Sequence, residues 1–120
     1  MGDWGKEAWG TDEAVDWFGQ YWNGGGIPLV LKTIHEFEPE TEQYEAVHAA
    51  CMVLGCFGLA YAWPSTHLEE RLLVLQLAIK LLTQMINPPD DTWGFLDMWN
   101  HDVAVVKSVE QQIALLNQHI

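Results

Sequence analysis

The chain has 120 residues, 49% of them hydrophobic, which predicts one globular domain with a single core. Its 17 Asp and Glu residues against five Lys and Arg give a formal net charge of −12. This balance disfavours nucleic acid and anionic lipid as partners, because both need clustered basic side chains. The same charge favours a basic protein partner through electrostatic steering, although acidity also serves solubility alone.

The N-terminus, the longest apolar run and the two cysteines indicate in which cellular compartment the protein works. The first seven residues lack the basic and apolar regions of a secretory signal. The longest apolar run, 49–63, is shorter than the roughly 20 residues that span a membrane. Cys51 and Cys56 lie five apart on one predicted helix, which turns them about 140° away from each other. We therefore expect two buried, unpaired thiols in a cytoplasmic protein.

The first predicted helix runs from about Asp12 to Tyr21. Thr11 is placed to cap it, and two acids follow in its first turn, where the helix dipole favours them. Upstream, Trp4 and Trp9 each precede a glycine, which predicts a Trp-rich segment that packs on the domain. A ligand pocket lined by tryptophans is the alternative.

The next two predicted helices flank an acidic connection. After a glycine-rich turn at 23–26, apolar residues recur with helical spacing from Ile27 to a stop before Pro39. Thr41 is placed to cap a third, central helix that continues to about Ala62. Its two glycines each weaken a helix by about 1 kcal/mol relative to Ala, which favours a close helix crossing there.

The fourth predicted helix runs from about Leu68 to Ile86, after a capping-box pattern at Thr66 and Glu69. It is apolar nearly all round, so we expect it to pack on two neighbours. A proline-rich connection and an aromatic segment at 93–99 precede a last helix that begins near His101. The predicted buried stripe of that helix is Val103, Val106, Val109, Ile113, Leu116 and Ile120. The sequence thus predicts an all-α, single-domain bundle of about five helices over 1–120.

Few residues suggest catalysis or a metal site. Glu45 and His48 form one Glu-x-x-His, the spacing of ligand pairs in di-iron bundles, but a second copy is missing. We therefore favour a partly exposed helix face over a metal site. The glycines at 24–26 lack the Lys and Ser or Thr of a phosphate loop, and His101 with Asp102 indicates helix capping more than a general base. The prediction is no enzyme, no cofactor and no metal.

The most distinctive surface signal is the segment 36–45, which carries five acids and no base. Pro39 stiffens it, and we interpret it as an acidic ridge that meets Lys and Arg of a partner. A solvated loop is the alternative. Asp90 and Asp91 add to the ridge if the fold brings the two connections to the same end. The predicted partner-binding residues are Glu36, Glu38, Glu40, Glu42, Glu45, Asp90 and Asp91.

The start of the chain resembles a family of small bacterial proteins that begin M-G-x-W-G-x-G-x-F-x-x-D-x-A-x-D-W. The matching residues are Met1, Gly2, Trp4, Gly5, Asp12, Ala14, Asp16 and Trp17. Glu7 and Trp9 depart from the pattern, where the family has Gly and Phe. A weaker likeness continues over most of the chain. The resemblance implies an immunity protein of a bacterial toxin system and supplies no catalytic residues.

Charge and resemblance together predict a cytoplasmic immunity protein that neutralises a basic toxin domain, such as a nuclease, with an acidic surface. The alternative is a small helical metal- or ligand-binding protein or enzyme that uses Glu45 and His48. A homo-oligomer is compatible with either function and would show as an exposed apolar face on the fourth helix.

Overall fold

Six α-helices make up most of residues 12–120, the part of the chain that the computed structural model describes. They are α1 (Asp12–Gln20), α2 (Gly26–His35), α3 (Tyr44–Phe57), α4 (Arg71–Ile86), α5 (Phe95–Met98) and α6 (Val103–Gln118). Residues 12–120 contain no strand, so the all-α prediction is confirmed. The expectations for Trp4, Trp9 and Thr11 concern residues outside the described range.

The first three helices alternate in direction. The Trp17 Nε1 donates to the Thr33 hydroxyl (2.9 Å), which ties α1 to α2 on either side of the turn at Tyr21–Gly25. Near the start of α1, Glu13 Oε2 accepts a hydrogen bond from the backbone N–H of Ala46 (2.7 Å), close to the start of α3. Helices α1 and α3 therefore begin at the same end of the bundle, and α2 runs back between them.

Helix α6 runs parallel to α3 and antiparallel to α4. Gln112 Nε2 donates to the His48 carbonyl (3.0 Å), and His119 Nε2 donates to the Gly55 carbonyl (2.7 Å). Both pairs are 64 residues apart, which is the constant offset of parallel helices. Arg71, the first residue of α4, donates to the carbonyl of His119 near the end of α6 (3.0 Å). The bundle therefore has two distinct ends, one where α3 begins and one where it finishes.

The core is centred on α3, as the sequence predicts. From Tyr44 to Leu54 every side chain except that of Met52 is buried, and α3 contacts α1, α2, α4 and α6. A Cβ on Gly55 would lie 2.9 Å from a methyl group of Leu115, so α3 and α6 cross closely at this glycine. Helix α4 packs against α2, α3 and α6, whereas two neighbours were expected. Among the described helices, none combines the length and apolar character needed to cross a membrane.

The boundaries of α3 differ from the prediction at both ends. The Thr41 hydroxyl donates to the Glu38 carbonyl (2.7 Å) within a short 3₁₀ turn, and Glu42 then takes the left-handed conformation (φ 56°). A helix cannot continue through that conformation, so α3 begins at Tyr44 instead. It finishes at Phe57, because the chain leaves helical geometry after Gly58 rather than at Ala62.

The second half of the chain also corrects two expectations. Residues Ser65–Glu70 form 3₁₀ turns, so the predicted capping box does not form and α4 begins at Arg71. In α6, Asp102 caps the helix by accepting a hydrogen bond from the Ala104 N–H (2.8 Å), as the capping interpretation predicts. The buried face of α6 consists of Val105, Val109 and Leu116, whereas Val103 and Ile120 are exposed.

The two cysteines differ in environment. Both are unpaired, as predicted, but only Cys51 is buried, and its burial raises the pKa of the thiol. Cys56 is exposed, because the five-residue separation turns it away from the core-facing side of α3. The expectation of two buried thiols is therefore wrong for Cys56.

We expect one thiol per chain to react with a thiol reagent in the native protein and the second only after denaturation. The reason is that the reagent needs an accessible thiolate, which Cys51 does not offer. A Cys56→Ser variant should leave no rapidly reacting thiol. Rapid reaction of two native thiols would contradict the buried position of Cys51.

Candidate functional site

Tyr44 joins the two acidic connections at the end of the bundle where α3 begins. Its side chain is fully buried, and its hydroxyl donates to the Pro39 carbonyl (3.1 Å), with the Thr92 carbonyl at 3.4 Å. The same oxygen accepts a hydrogen bond from the Gly94 N–H (2.8 Å). One hydroxyl thereby links residues from the α2–α3 connection to residues from the α4–α5 connection.

Aromatic packing reinforces this link. The Tyr44 ring lies 5.4 Å from that of Phe37 and 6.2 Å from that of Trp93, between ring centroids, and Phe37 and Trp93 are 5.6 Å apart. Phe95, which is completely buried, meets Tyr44 edge-on at 5.7 Å. Such ring pairs each contribute about 0.5–1.5 kcal/mol beyond their area burial. The two connections are therefore fixed against each other by packing as well as by hydrogen bonds.

Six carboxylates are exposed at this end of the bundle. We call it the acidic end and define it by Glu36, Glu38, Glu40, Glu42, Asp90 and Asp91. The fold thus places the Asp90 and Asp91 connection beside the glutamate segment. The pKa of Asp90 is lowered because the hydroxyl and the backbone N–H of Thr92 both donate to its carboxylate. These bonds also close the turn that carries Asp90.

Glu45 does not belong to the acidic end. It is 4% exposed, and its Oε1 accepts a hydrogen bond from Trp99 Nε1 (2.7 Å). His48 is 1% exposed, with Nδ1 3.7 Å from Glu45 Oε2. The expectations that Glu45 extends the surface ridge and that this pair forms a partly exposed helix face are therefore wrong. The reason is tertiary, because Trp99 and α6 cover this face of α3.

The buried pair and the neighbouring Gln112 of α6 together have three buried side-chain atoms without a hydrogen-bond partner in the described part of the chain. They are Glu45 Oε2, His48 Nε2 and Gln112 Oε1. A buried polar group without a partner costs about 1–3 kcal/mol. Within residues 12–120, no group of three or more His, Cys, Asp and Glu side chains is arranged to hold a metal ion. Glu45 and His48 by themselves offer two ligands, fewer than the three or four protein ligands of zinc sites.

Glu13 connects this buried pair to the surface. Its carboxylate caps α3 from a neighbouring helix, through the Ala46 N–H, while Gln43 at the N-cap position makes no side-chain cap. The pKa of Glu13 is raised overall, chiefly by burial. The Ala46 hydrogen bond lowers the pKa, and the nearby Glu45 carboxylate raises it further. The start of α3 is therefore surrounded by acidic groups, one of them exposed only in part.

A cleft of about 610 Å³ opens between α1, α2 and the start of α3. Asp16, Lys32 and Glu36 give it charged groups of both signs, and Phe37 contributes an aromatic wall. Because Glu36 belongs to both features, the cleft and the acidic end form one continuous surface. No sequence signal marks the cleft, since its walls come from separate helices.

Comparison with known proteins gives no match to this chain, whether with protein-family models, with curated proteins or with solved structures. The family resemblance of the first 17 residues stays an expectation. Of its matching residues, the structure describes four. Ala14 and Trp17 are buried in the core, Asp12 begins α1, and Asp16 is exposed at the cleft.

Proposed function

We propose that this chain is an immunity protein whose acidic end binds the basic surface of a toxin domain. The observation that carries the proposal is the Tyr44 hydroxyl, which holds two separate acidic connections together through Pro39, Thr92 and Gly94. Six exposed carboxylates thereby form one surface rather than two independent loops.

Electrostatics supports a basic partner. A surface of one sign steers oppositely charged proteins toward it and raises the association rate, most strongly at low salt. Binding also costs less conformational entropy when the loops are already ordered. The connection at 36–43 is ordered by a 3₁₀ turn, which the Thr41–Glu38 and Glu42–Pro39 backbone hydrogen bonds close.

A nuclease domain fits this chemistry best among basic toxins. Its active site binds phosphates with Lys and Arg, and carboxylates spaced along the acidic end would occupy the same groups. Such a protein would act in the cytoplasm by occlusion and would need no catalytic residue or cofactor of its own. Nucleic acid itself would be repelled by the acidic end.

The second candidate function is the binding of a small polar ligand or a metal ion near Glu45 and His48. The observation in its favour is the set of three buried polar atoms without partners. Metal content, and unfolding with and without EDTA, separate this candidate from a structural role for the pair.

The proposal is tested with the product of the gene immediately beside the one that encodes this chain. Co-expression of this chain should relieve the toxicity of that product. Replacing Glu36, Glu38, Glu40 and Glu42 together by Gln should leave the helical fold intact, because all four are exposed. Charges at the edge of an interface mainly affect the association rate, so the variant should associate with the toxin more slowly than wild type. Its association rate should also depend less on salt concentration.

The control removes three carboxylates elsewhere, with Glu69, Glu70 and Glu110 changed to Gln. Glu110 lies on the exposed face of α6, and the other two lie at the opposite end of the bundle. This control should associate almost as fast as wild type at low and at high ionic strength. If the quadruple variant also binds and protects like wild type, the acidic end is a solvated surface and the proposal fails.

A further inference from the structure

The end of the bundle opposite the acidic end is organised around Arg71. Its guanidinium donates to the Gly58 carbonyl (2.8 Å) just after α3 and to the His119 carbonyl (3.0 Å) just after α6. Arg71 is itself the first residue of α4. One side chain therefore joins three helix ends, and the residues adjacent to these three points lie at one end of the bundle.

That surface carries large apolar side chains that face solvent. We call it the apolar end and define it by Trp22, Phe57, Tyr61, Leu68, Leu72 and Leu115. Leu68 and Leu72 flank Arg71, and Phe57 precedes the Gly58 that binds it. Leu115 lies against Gly55, one turn before Gly58. Trp22 stands edge-on to Tyr21 at 5.1 Å, in the turn that joins α1 to α2 at this end of the bundle.

The exposed area is larger than a monomer ordinarily leaves uncovered. Tyr61 is 87% exposed, Trp22 75%, and the other four between 42% and 49%. With about 150–250 Å² per large side chain, the six expose about 500–850 Å². Monomeric proteins rarely expose contiguous apolar patches above a few hundred Å². Two such surfaces would bury about 1,000–1,700 Å² in total, which reaches into the range of specific interfaces.

We infer that the apolar end is the interface of a homodimer, in which the apolar ends of two copies pack against each other around a two-fold axis. An apolar surface is complementary to itself, which an isologous interface requires. Segments 55–73 and 115–120 contain three residues of the types Asp, Glu, Lys and Arg, namely Glu69, Glu70 and Arg71. This end is therefore nearly balanced in charge and does not attract a basic partner as the acidic end does.

The distribution of charge permits this arrangement despite the formal net charge of −12. Helix α3 has 14 residues and separates the two ends by about 20 Å at 1.5 Å per residue. In the dimer the two acidic ends lie about 40 Å apart, several times the Debye length of about 8 Å at physiological salt. Salt therefore screens the repulsion between the two acidic ends, and both acidic ends stay accessible in the dimer. The inference goes beyond the proposed function and does not depend on it.

The test is analytical ultracentrifugation of the full chain alone, from low-micromolar to several-hundred-micromolar concentration. The wild type should shift from 13.6 kDa toward twice that mass. Tyr61→Glu and, separately, Leu72→Glu should raise the dissociation constant at least about tenfold, because each places a charge in the apolar interface. Both positions are exposed in the monomer, so circular dichroism and thermal unfolding at low concentration should match wild type.

The matched control is Val103→Glu, an equivalent charge at an apolar position that is 67% exposed at the start of α6, away from the apolar end. It should dimerise like wild type. A wild type that stays at 13.6 kDa at the highest concentration overturns the inference. So does a Val103→Glu variant that is impaired as much as Tyr61→Glu, since another surface would then mediate association.

Discussion

Replacing Trp17 by alanine should lower the free energy of unfolding by about 3–5 kcal/mol, the range for large aromatic side chains removed from a core. Trp17 is 4% exposed, meets Phe18 edge-on at 5.2 Å and stacks on Tyr21 at 5.7 Å. Its indole N–H also donates to the Thr33 hydroxyl, so the change removes a hydrogen bond between α1 and α2. Urea denaturation followed by circular dichroism measures the effect.

The matched control is Trp22→Ala, because Trp22 lies five residues further on and is 75% exposed. Its effect should stay within about 0.5 kcal/mol, as for surface substitutions in general. Both variants are compared at low-micromolar concentration, so that association through the apolar end does not contribute. Equal losses in the two variants would show that Trp17 does not anchor α1 to the core.

Replacing Glu45 by alanine should cost about 1–3 kcal/mol, the range for a buried polar group that loses its hydrogen-bond partner. The change leaves the partly buried Trp99 Nε1 without its acceptor and removes the carboxylate that lies 3.7 Å from the buried His48 Nδ1. Glu45→Gln should lose less, because the amide oxygen still accepts the Trp99 hydrogen bond. In thermal and urea unfolding, stability should decrease from wild type to Glu45→Gln and further to Glu45→Ala.

The control for this series is Glu40→Ala, which removes an exposed carboxylate near the same end of the bundle and should change stability by at most about 0.5 kcal/mol. Metal content and unfolding with and without EDTA separate the two roles of the pair. A structural role leaves wild-type stability unchanged by EDTA. Loss of stability on chelation, absent in Glu45→Ala, would favour the metal-binding function instead.

The helices can be predicted from local patterns in the sequence. The predictions are wrong where the structure depends on more than those local patterns. Apolar residues at helical spacing were enough to predict α2, α3 and α4, because a helix needs one buried face whatever covers it. The start of α3 was missed because Thr41 satisfies its hydroxyl within a 3₁₀ turn and Glu42 turns left-handed.

The candidate site was predictable in composition and not in arrangement. Exposure of Glu36, Glu38, Glu40 and Glu42 follows from a run of acids that no core would bury unpaired. The Tyr44 hydroxyl, in contrast, meets Thr92 across 48 residues, and Glu45 meets Trp99 across 54. Such separations leave no periodic signal in one sequence, so the link between the connections and the burial of Glu45 required the structure.

If the acidic end binds a partner, the bridge made by Tyr44 couples that binding to folding. Because the α2–α3 and α4–α5 connections are held together by that buried hydroxyl and by the packing of Phe37 against Trp93, the unfolded chain carries the same charges without the surface they form. A partner that contacts both connections therefore binds the native state alone. By mass action it then stabilises that state by about 2.7 kcal/mol at a concentration of 100 times its Kd, so the bound chain would outlast the free chain wherever proteases sample unfolded molecules.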